Sequence, residues 1–244
     1  LEIGDPANLE VVVHLLGGQR VLVGSEARTL SAARERALLA RLALTNGAVV
    51  ATADLVDELW PDDPPASARN TLQTYVSHIR RVVAPATVEF VGHGYRLVGA
   101  TTDLAELDHQ LNELAHLPDV LRRDSLRSLL VGWPDDPLAD AGEGAFVVAA
   151  RRHWHERRRT TEDELIELRL GAGEQDHLVA ELATRCAHDP HRERSAMQLA
   201  LALYRCGRGA EALDALQRLR LSLREDLGLQ PGPEVQLLEH RLLT

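Results

Sequence analysis

The chain has 244 residues, 45% of them hydrophobic and 26% charged, and carries a formal net charge of −10. That length suits two domains, each able to bury a core. No apolar run approaches the roughly 18 residues of a membrane span, which leads us to expect a cytoplasmic protein.

All 27 basic residues are arginine, as a GC-rich coding sequence would give. The two cysteines, Cys186 and Cys206, have no metal-type spacing, and buried free thiols are expected rather than a disulfide scaffold. Residues 1–99 carry 9 Arg against 11 Asp/Glu, and residues 100–244 carry 18 against 26. The acidity lies mostly in the second half, so the net charge does not exclude a nucleic-acid partner for the first. No basic-then-apolar leader opens the chain, and its leucine at position 1 leaves a longer parent polypeptide open.

In chain order, two β-branched runs, Val11 to Leu16 and Val21 to Val23, flank Gly17-Gly18 and predict a hairpin. The segment from Ser31 to Leu44 predicts a helix with Ser31 as N-cap. Its apolar positions include Ala37, Leu38 and Leu42, with Arg34, Arg36 and Arg41 opposite. A short helix follows, capped by Thr52 and closed by Pro61. After the turn "PDDPP" comes the longer helix "SARNTLQTYVSHIRR". At about 100° per residue it places Leu72, Val76, Ile79 and Val83 on one stripe, beside Tyr75, which is expected to pack.

The opposite stripe of that helix is Asn70, Thr74, Ser77 and Arg81, flanked by Ser67, Gln73 and His78. A polar stripe by itself is ordinarily a solvated surface. Two short helices precede this one, and the strand-like "VEFVGHGYRLV" follows it, with a Gly-His-Gly turn expected to project His93 and Arg96. That order predicts an α+β winged helix-turn-helix domain over 9–99. Its long helix would enter the major groove of double-stranded promoter DNA. Asn70, Gln73, Thr74 and Ser77 would lie near base edges, Arg69, Arg80 and Arg81 on phosphates, and the wing at the minor groove or backbone.

Beyond residue 100, breaks at Pro118, Trp133-Pro134, 171–173, Asp189-Pro190, 207–209 and 228–232 predict antiparallel helices. Small residues, Ala200, Ala202, Ala210, Ala212 and Ala215, stand where stacked helices approach. The result is an all-α, tetratricopeptide-like domain over 101–244, without a strict 34-residue repeat.

Both halves carry a resemblance. "ERALLARLALTNGAVVATADLVDELWPDDPPASARNTLQTYVSHIRRVV…GHGYRL" resembles the DNA-binding domain of the Streptomyces antibiotic regulatory protein (SARP) family. "LYRCGRGAEALDALQRLRLSLREDLGLQPGPEVQLLEHRLL" resembles the bacterial transcriptional activation domain that follows it in that family. The resemblance implies a transcriptional activator that binds tandem promoter repeats as a homodimer and contacts RNA polymerase through the loop carrying Asp62 and Asp63. Ser77 and Gly92 stand where response-regulator relatives often have basic residues. With Arg69, Arg80, Arg81 and Arg96 neutralising about four phosphates, one copy would show a salt slope of roughly −3.6 and lose about a hundredfold in affinity between 50 and 200 mM salt. Binding by two copies is therefore expected.

In "RRHWHERRR", positions 151, 155 and 158 share a helix face with Trp154 to one side. The ordinary reading is an exposed charged face. A sharper one is a clamp of Arg151, Trp154 and Arg158 for a nucleotide effector or DNA backbone. The histidines complete no metal set, no nucleophile elbow appears, and a chain without lysine has no GxxxxGK[ST] loop. Neither a cofactor nor an enzymatic activity is expected. The rival to a DNA-binding regulator is a protein- or nucleotide-binding module of a larger, membrane-tethered regulator whose winged helix has weakened DNA contact.

Overall fold

The computed structural model describes residues 9–244. The chain divides into two compact units. One comprises the residues up to Leu117 together with Val131–Arg158, and the other Pro118–Leu130 with Arg159–Thr244.

The first unit opens with strands β1 (Val11–His14), β2 (Arg20–Val23) and β3 (Glu26–Arg28). The expected hairpin pairs Val11 with Val23 and His14 with Arg20. Alternation puts Val11, Val13, Val21 and Val23 on the buried face. The third strand and a parallel two-residue β7 (Thr101–Thr102) complete the sheet in the order β3-β2-β1-β7. Helices α1 (Ala33–Ala43), α2 (Thr52–Leu59) and α3 (Ala68–Val83) lie between this sheet and a second, β4-β6-β5 in spatial order. Its strands are β4 (Val50–Ala51), β5 (Thr87–Val91) and β6 (Gly94–Val98).

The α3 stripe packs as its spacing predicts. Leu72, Val76, Ile79 and Val83 are buried, each side chain contributing about 1.5–3 kcal/mol of transfer free energy. Tyr75 stacks on the buried Trp60 with ring centroids 6.2 Å apart. Gly92 begins the two-residue wing turn at φ 60°, and Gly94 meets β4 so closely that a Cβ there would lie 2.1 Å from the Val50 carbonyl oxygen.

The two expected helix caps are not made by those side chains. Helix α1 starts two residues after Ser31, whose carbonyl instead accepts from Arg36 Nη1 at 2.7 Å. Thr52 is the first residue of α2, and its hydroxyl donates to the His93 carbonyl at 2.8 Å, joining α2 to the wing turn. For Thr52 a tertiary partner outcompetes the local cap, whereas Ser31 lies one residue ahead of the Ala32 N-cap position.

The chain leaves the winged helix through a joint built of hydrogen bonds. Thr102 Oγ1 caps α4 (Asp103–Leu114) by accepting from Ala105 N. Asp103 accepts from the backbone N–H groups of Leu15 and Leu16 at 2.8 and 3.0 Å, and its carboxylate lies 3.2 Å from His14 Nδ1. Val131–Arg158 also belongs to this unit: Leu138 N donates to Leu15 O at 2.7 Å, and Asp140 bonds both Gln19 N and Arg36 Nε.

The second unit draws on α5 (Asp119–Val131), the later turns of α6 (Ala145–Gly171), α7 (Gln175–His188), α8 (Glu193–Arg205), α9 (Gly209–Leu227) and α10 (Pro233–Leu243). The boundaries fall at the Pro and Gly breaks. Helix α9 ends at Gly228 in the left-handed region, with Leu229 N reaching back to Leu223 O. Ala200, Ala202, Ala212 and Ala215 are buried where α8 and α9 pack, whereas Ala210, expected among them, is exposed. Asp163, nearly inaccessible, holds Arg185 and Arg192 at 3.0 and 2.6 Å and so offsets the cost of its own burial.

Candidate nucleic-acid interface

The outer face of α3 is built on the rigid inner one. Arg69, Asn70, Gln73, Thr74, Ser77, Arg80 and Arg81 are all exposed, and the sixteen residues of the helix include three arginines and no carboxylate. The hydroxyls of Thr74 and Ser77 donate to the carbonyls of Asn70 and Gln73 in their own helix, leaving oxygen lone pairs outward. An acidic chain thus presents one locally cationic rod with amide and hydroxyl groups between the charges.

Three side chains fix that rod. Arg80 Nε donates to Val88 O on β5 at 2.7 Å, so this arginine braces the helix against the wing while its outer nitrogens lie beyond that bond. Arg28 donates to the carbonyls of Val82 and Ala84 at 3.3 and 2.9 Å, closing the C-terminal end of α3 from β3. His78 Nδ1 lies 2.6 Å from Glu35 Oε1, a carboxylate only 6% exposed in the packed face of α1. Arg28 and Glu35 escape a reading of the sequence that looks only at α3. The signal for Glu35 is its place among Leu38, Leu39 and Leu42, where a charge requires a partner.

The wing differs from its expected form. His93 is exposed at the turn, but Arg96 lies two residues into β6 and does not project freely. Both its Nε and Nη2 donate to Glu89 Oε2, at 2.9 and 2.8 Å. Glu89 and Arg96 face each other across the ladder, so the pair follows from register. The exposed wing surface is instead apolar, with Phe90 58% exposed and edge-on to Tyr95. Asp62 and Asp63 are exposed on the proline-bounded loop between α2 and α3.

The three residues expected as an arginine–tryptophan clamp all have partners within the fold. Arg151 donates to the carbonyls of Pro137, Leu138 and Gly142 and to the Glu143 carboxylate, all within its own fold. Trp154 is buried, 8% exposed, and edge-on to Trp133. Arg158 pairs with Asp135. Their contacts tie residues 133–143 to α6.

Cys186 and Cys206 are free thiols of intermediate exposure, not fully buried ones. Burial pushes the Cys186 thiol up, and a hydrogen bond to Asp176 at 3.1 Å does the same for Cys206. Among the described residues no cluster of three or more His, Cys, Asp or Glu is placed to hold a metal, and no helix is long and apolar enough to cross a membrane.

Two family models match the chain. One, described as bacterial transcriptional activator domain, covers residues 119–243, and one, described as transcriptional regulatory protein, C terminal, covers 26–97. The chain is 32% identical to regulatory protein AfsR of Streptomyces griseus over 94% of its own length and 24% of that protein's, so it spans about a quarter of that relative. It is 33% identical to transcriptional regulator RedD of Streptomyces coelicolor, over 91% of this chain and 67% of RedD. Among solved structures, Mycobacterium tuberculosis EmbR in complex with a low affinity phosphopeptide is similar at a TM-score of 0.83 and 26% identity, covering 97% of this chain and 65% of that one.

Proposed function

Because this chain belongs to the SARP family of regulators, in which a winged helix precedes a bacterial transcriptional activator domain, we propose that it is a sequence-specific DNA-binding transcriptional activator. The observation that carries the reading is α3, a helix free of carboxylates whose polar face is exposed while its other face is locked into the core. In this reading 9–99 binds promoter DNA and 101–244 serves activation and dimerisation. Asn70, Gln73, Thr74 and Ser77 meet base edges, and Arg69, Arg81 and the outer nitrogens of Arg80 meet phosphates. His93 and Phe90 approach the backbone from the wing. Arg96 adds a phosphate contact only when Glu89 releases it.

With so few cations per copy, two copies on direct repeats about one helical turn apart supply the affinity. Asp62 and Asp63 form the RNA polymerase contact. The protein acts in the cytoplasm and performs no reaction of its own. A nucleotide effector at Arg151, Trp154 and Arg158 is not part of the proposal, since those groups are satisfied internally.

The test is selection of bound fragments from genomic DNA, followed by titration of the selected duplex. Arg81→Ala should weaken binding to all sequences alike, and Gln73→Ala should cost about 1–3 kcal/mol and relax preference at one position. The rival reading, a protein-binding module, is favoured by the paired Arg96 and the apolar wing. Retention of Arg80→Ala/Arg81→Ala on heparin or bulk DNA equal to that of the native chain would support it and refute the activator.

A further inference from the structure

A cavity lies away from the polar face of α3, where α1 and α2 face the start of α6. Its volume is about 300 Å³, the lower end of the range for small-molecule sites. Its walls are apolar, with Leu38, Leu55 and Leu59 on one side and Phe146 and Val147 on the other. Small residues keep it open. Ala33 and Ala37 line the α1 wall, and Gly142, at φ 86°, sits opposite.

The charges around it are unequal in their commitments. Arg41 donates from Nε to both oxygens of Glu58, at 3.0 and 2.9 Å, while its guanidinium covers the Phe146 ring at 3.9 Å. That pair is neutral and forms a flat floor. Glu143, at the rim, pairs with Arg151. Arg34 is different: Nε donates to the Leu59 carbonyl and its guanidinium lies 5.6 Å from the centre of the Trp60 ring, so it is held in place by neutral groups and keeps its charge. The lining therefore combines an apolar interior with one positioned cation at the edge.

We infer that this cavity binds a small apolar monocarboxylate, its hydrocarbon or aromatic body among Leu38, Leu55 and Phe146 and its carboxylate on the outer nitrogens of Arg34. A guanidinium presents two parallel donors that match a carboxylate, and the aromatic and aliphatic walls exclude water from the remainder. A purely apolar gap would take a neutral analogue equally well, so the inference predicts discrimination by charge.

The probe is naphthalene-2-carboxylate, titrated into the full chain without DNA and followed by calorimetry, with naphthalene-2-carboxamide as the neutral comparison. The acid should bind saturably and about tenfold more tightly than the amide. Arg34→Gln should remove that preference while leaving amide binding unchanged. Ala33→Trp, at the mouth, should block both probes, with circular dichroism reporting the fold. Should Ala33→Trp unfold, Arg34→Gln alone decides the matter. Equal binding of acid and amide to the native chain, or acid binding unaltered by Arg34→Gln, overturns the assignment. Saturation by neither probe overturns it too, and would leave the apolar walls to a protein segment. None of these readings depends on whether α3 binds DNA.

Discussion

Glu89→Gln tests the wing directly. Glu89 and Arg96 are each 40% exposed, and an ion pair at that exposure contributes only about 0–1 kcal/mol, so the substitution should leave the fold nearly as stable as before. It converts a neutral pair into a cation beside the turn. Counting Arg69, Arg80 and Arg81 as about three phosphate contacts gives one native copy a slope of roughly −2.7 in log affinity against log salt; a released Arg96 brings it to roughly −3.6. Between 50 and 200 mM salt the native chain should lose about 40-fold in affinity per copy and the variant about 150-fold. Fluorescence anisotropy of a labelled, genomically selected duplex across that range measures both. The variant should bind more tightly at low salt, with an advantage that shrinks as salt rises. An unchanged slope would mean that β6 does not approach the DNA backbone, and the winged-helix docking argued above would be wrong in that element.

Three further outcomes are expected. Gly94→Ala places a Cβ 2.1 Å from the Val50 carbonyl, so β4 and β6 must separate, and urea unfolding should show a loss of at least about 2 kcal/mol. Arg151→Ala leaves the carbonyls of Pro137, Leu138 and Gly142 without their donor, which should cost about 1–3 kcal/mol and alter the emission of Trp133 and Trp154 without changing DNA affinity. The Glu174 carboxyl is held below its ordinary value of 4.5, first by the hydrogen bond from Arg169 and further by the charges of Arg169, Arg127 and Arg123, against an opposing effect of burial. A depressed folded value means that its stabilisation is present above the unfolded value and lost as pH falls through the folded one. Glu174→Gln should therefore lower the melting temperature at neutral pH and flatten its decline below about pH 4.5; parallel acid profiles for the two proteins would refute the linkage.

Periodicity made α3 legible, because an aliphatic stripe at helical spacing has one good burial solution, and Leu72, Val76, Ile79 and Val83 adopt it. The helical half was legible for a related reason: Gly and Pro interrupt it at each turn of the chain. What escaped was the commitment of individual polar groups. Ser31 and Thr52 look like caps locally, yet the helix after Ser31 starts one residue late and the Thr52 hydroxyl goes to the His93 carbonyl, a partner set by packing. Arg151 reads as a free cation until the carbonyls of 137–142 fold against it. The Arg96 pair could have been found, since Glu89 and Arg96 are equidistant from the centre of the Gly92-His93 turn, and a hairpin closing there must oppose them. Strands as short as β3 and β7 carry too few residues for any alternation to register.

The joint at Thr102 and Asp103 bears on how a signal could leave the winged helix. A slack tether would let it tumble independently and would tolerate extra residues. Here the exit strand is zipped to β1, and the carboxylate that starts α4 grips the two amides that follow β1. Any twist of the first sheet is passed to α4 as rotation of a stiff lever, and a single glycine inserted after Thr102 would uncouple the two by displacing Asp103 from its amides while the zip stays closed.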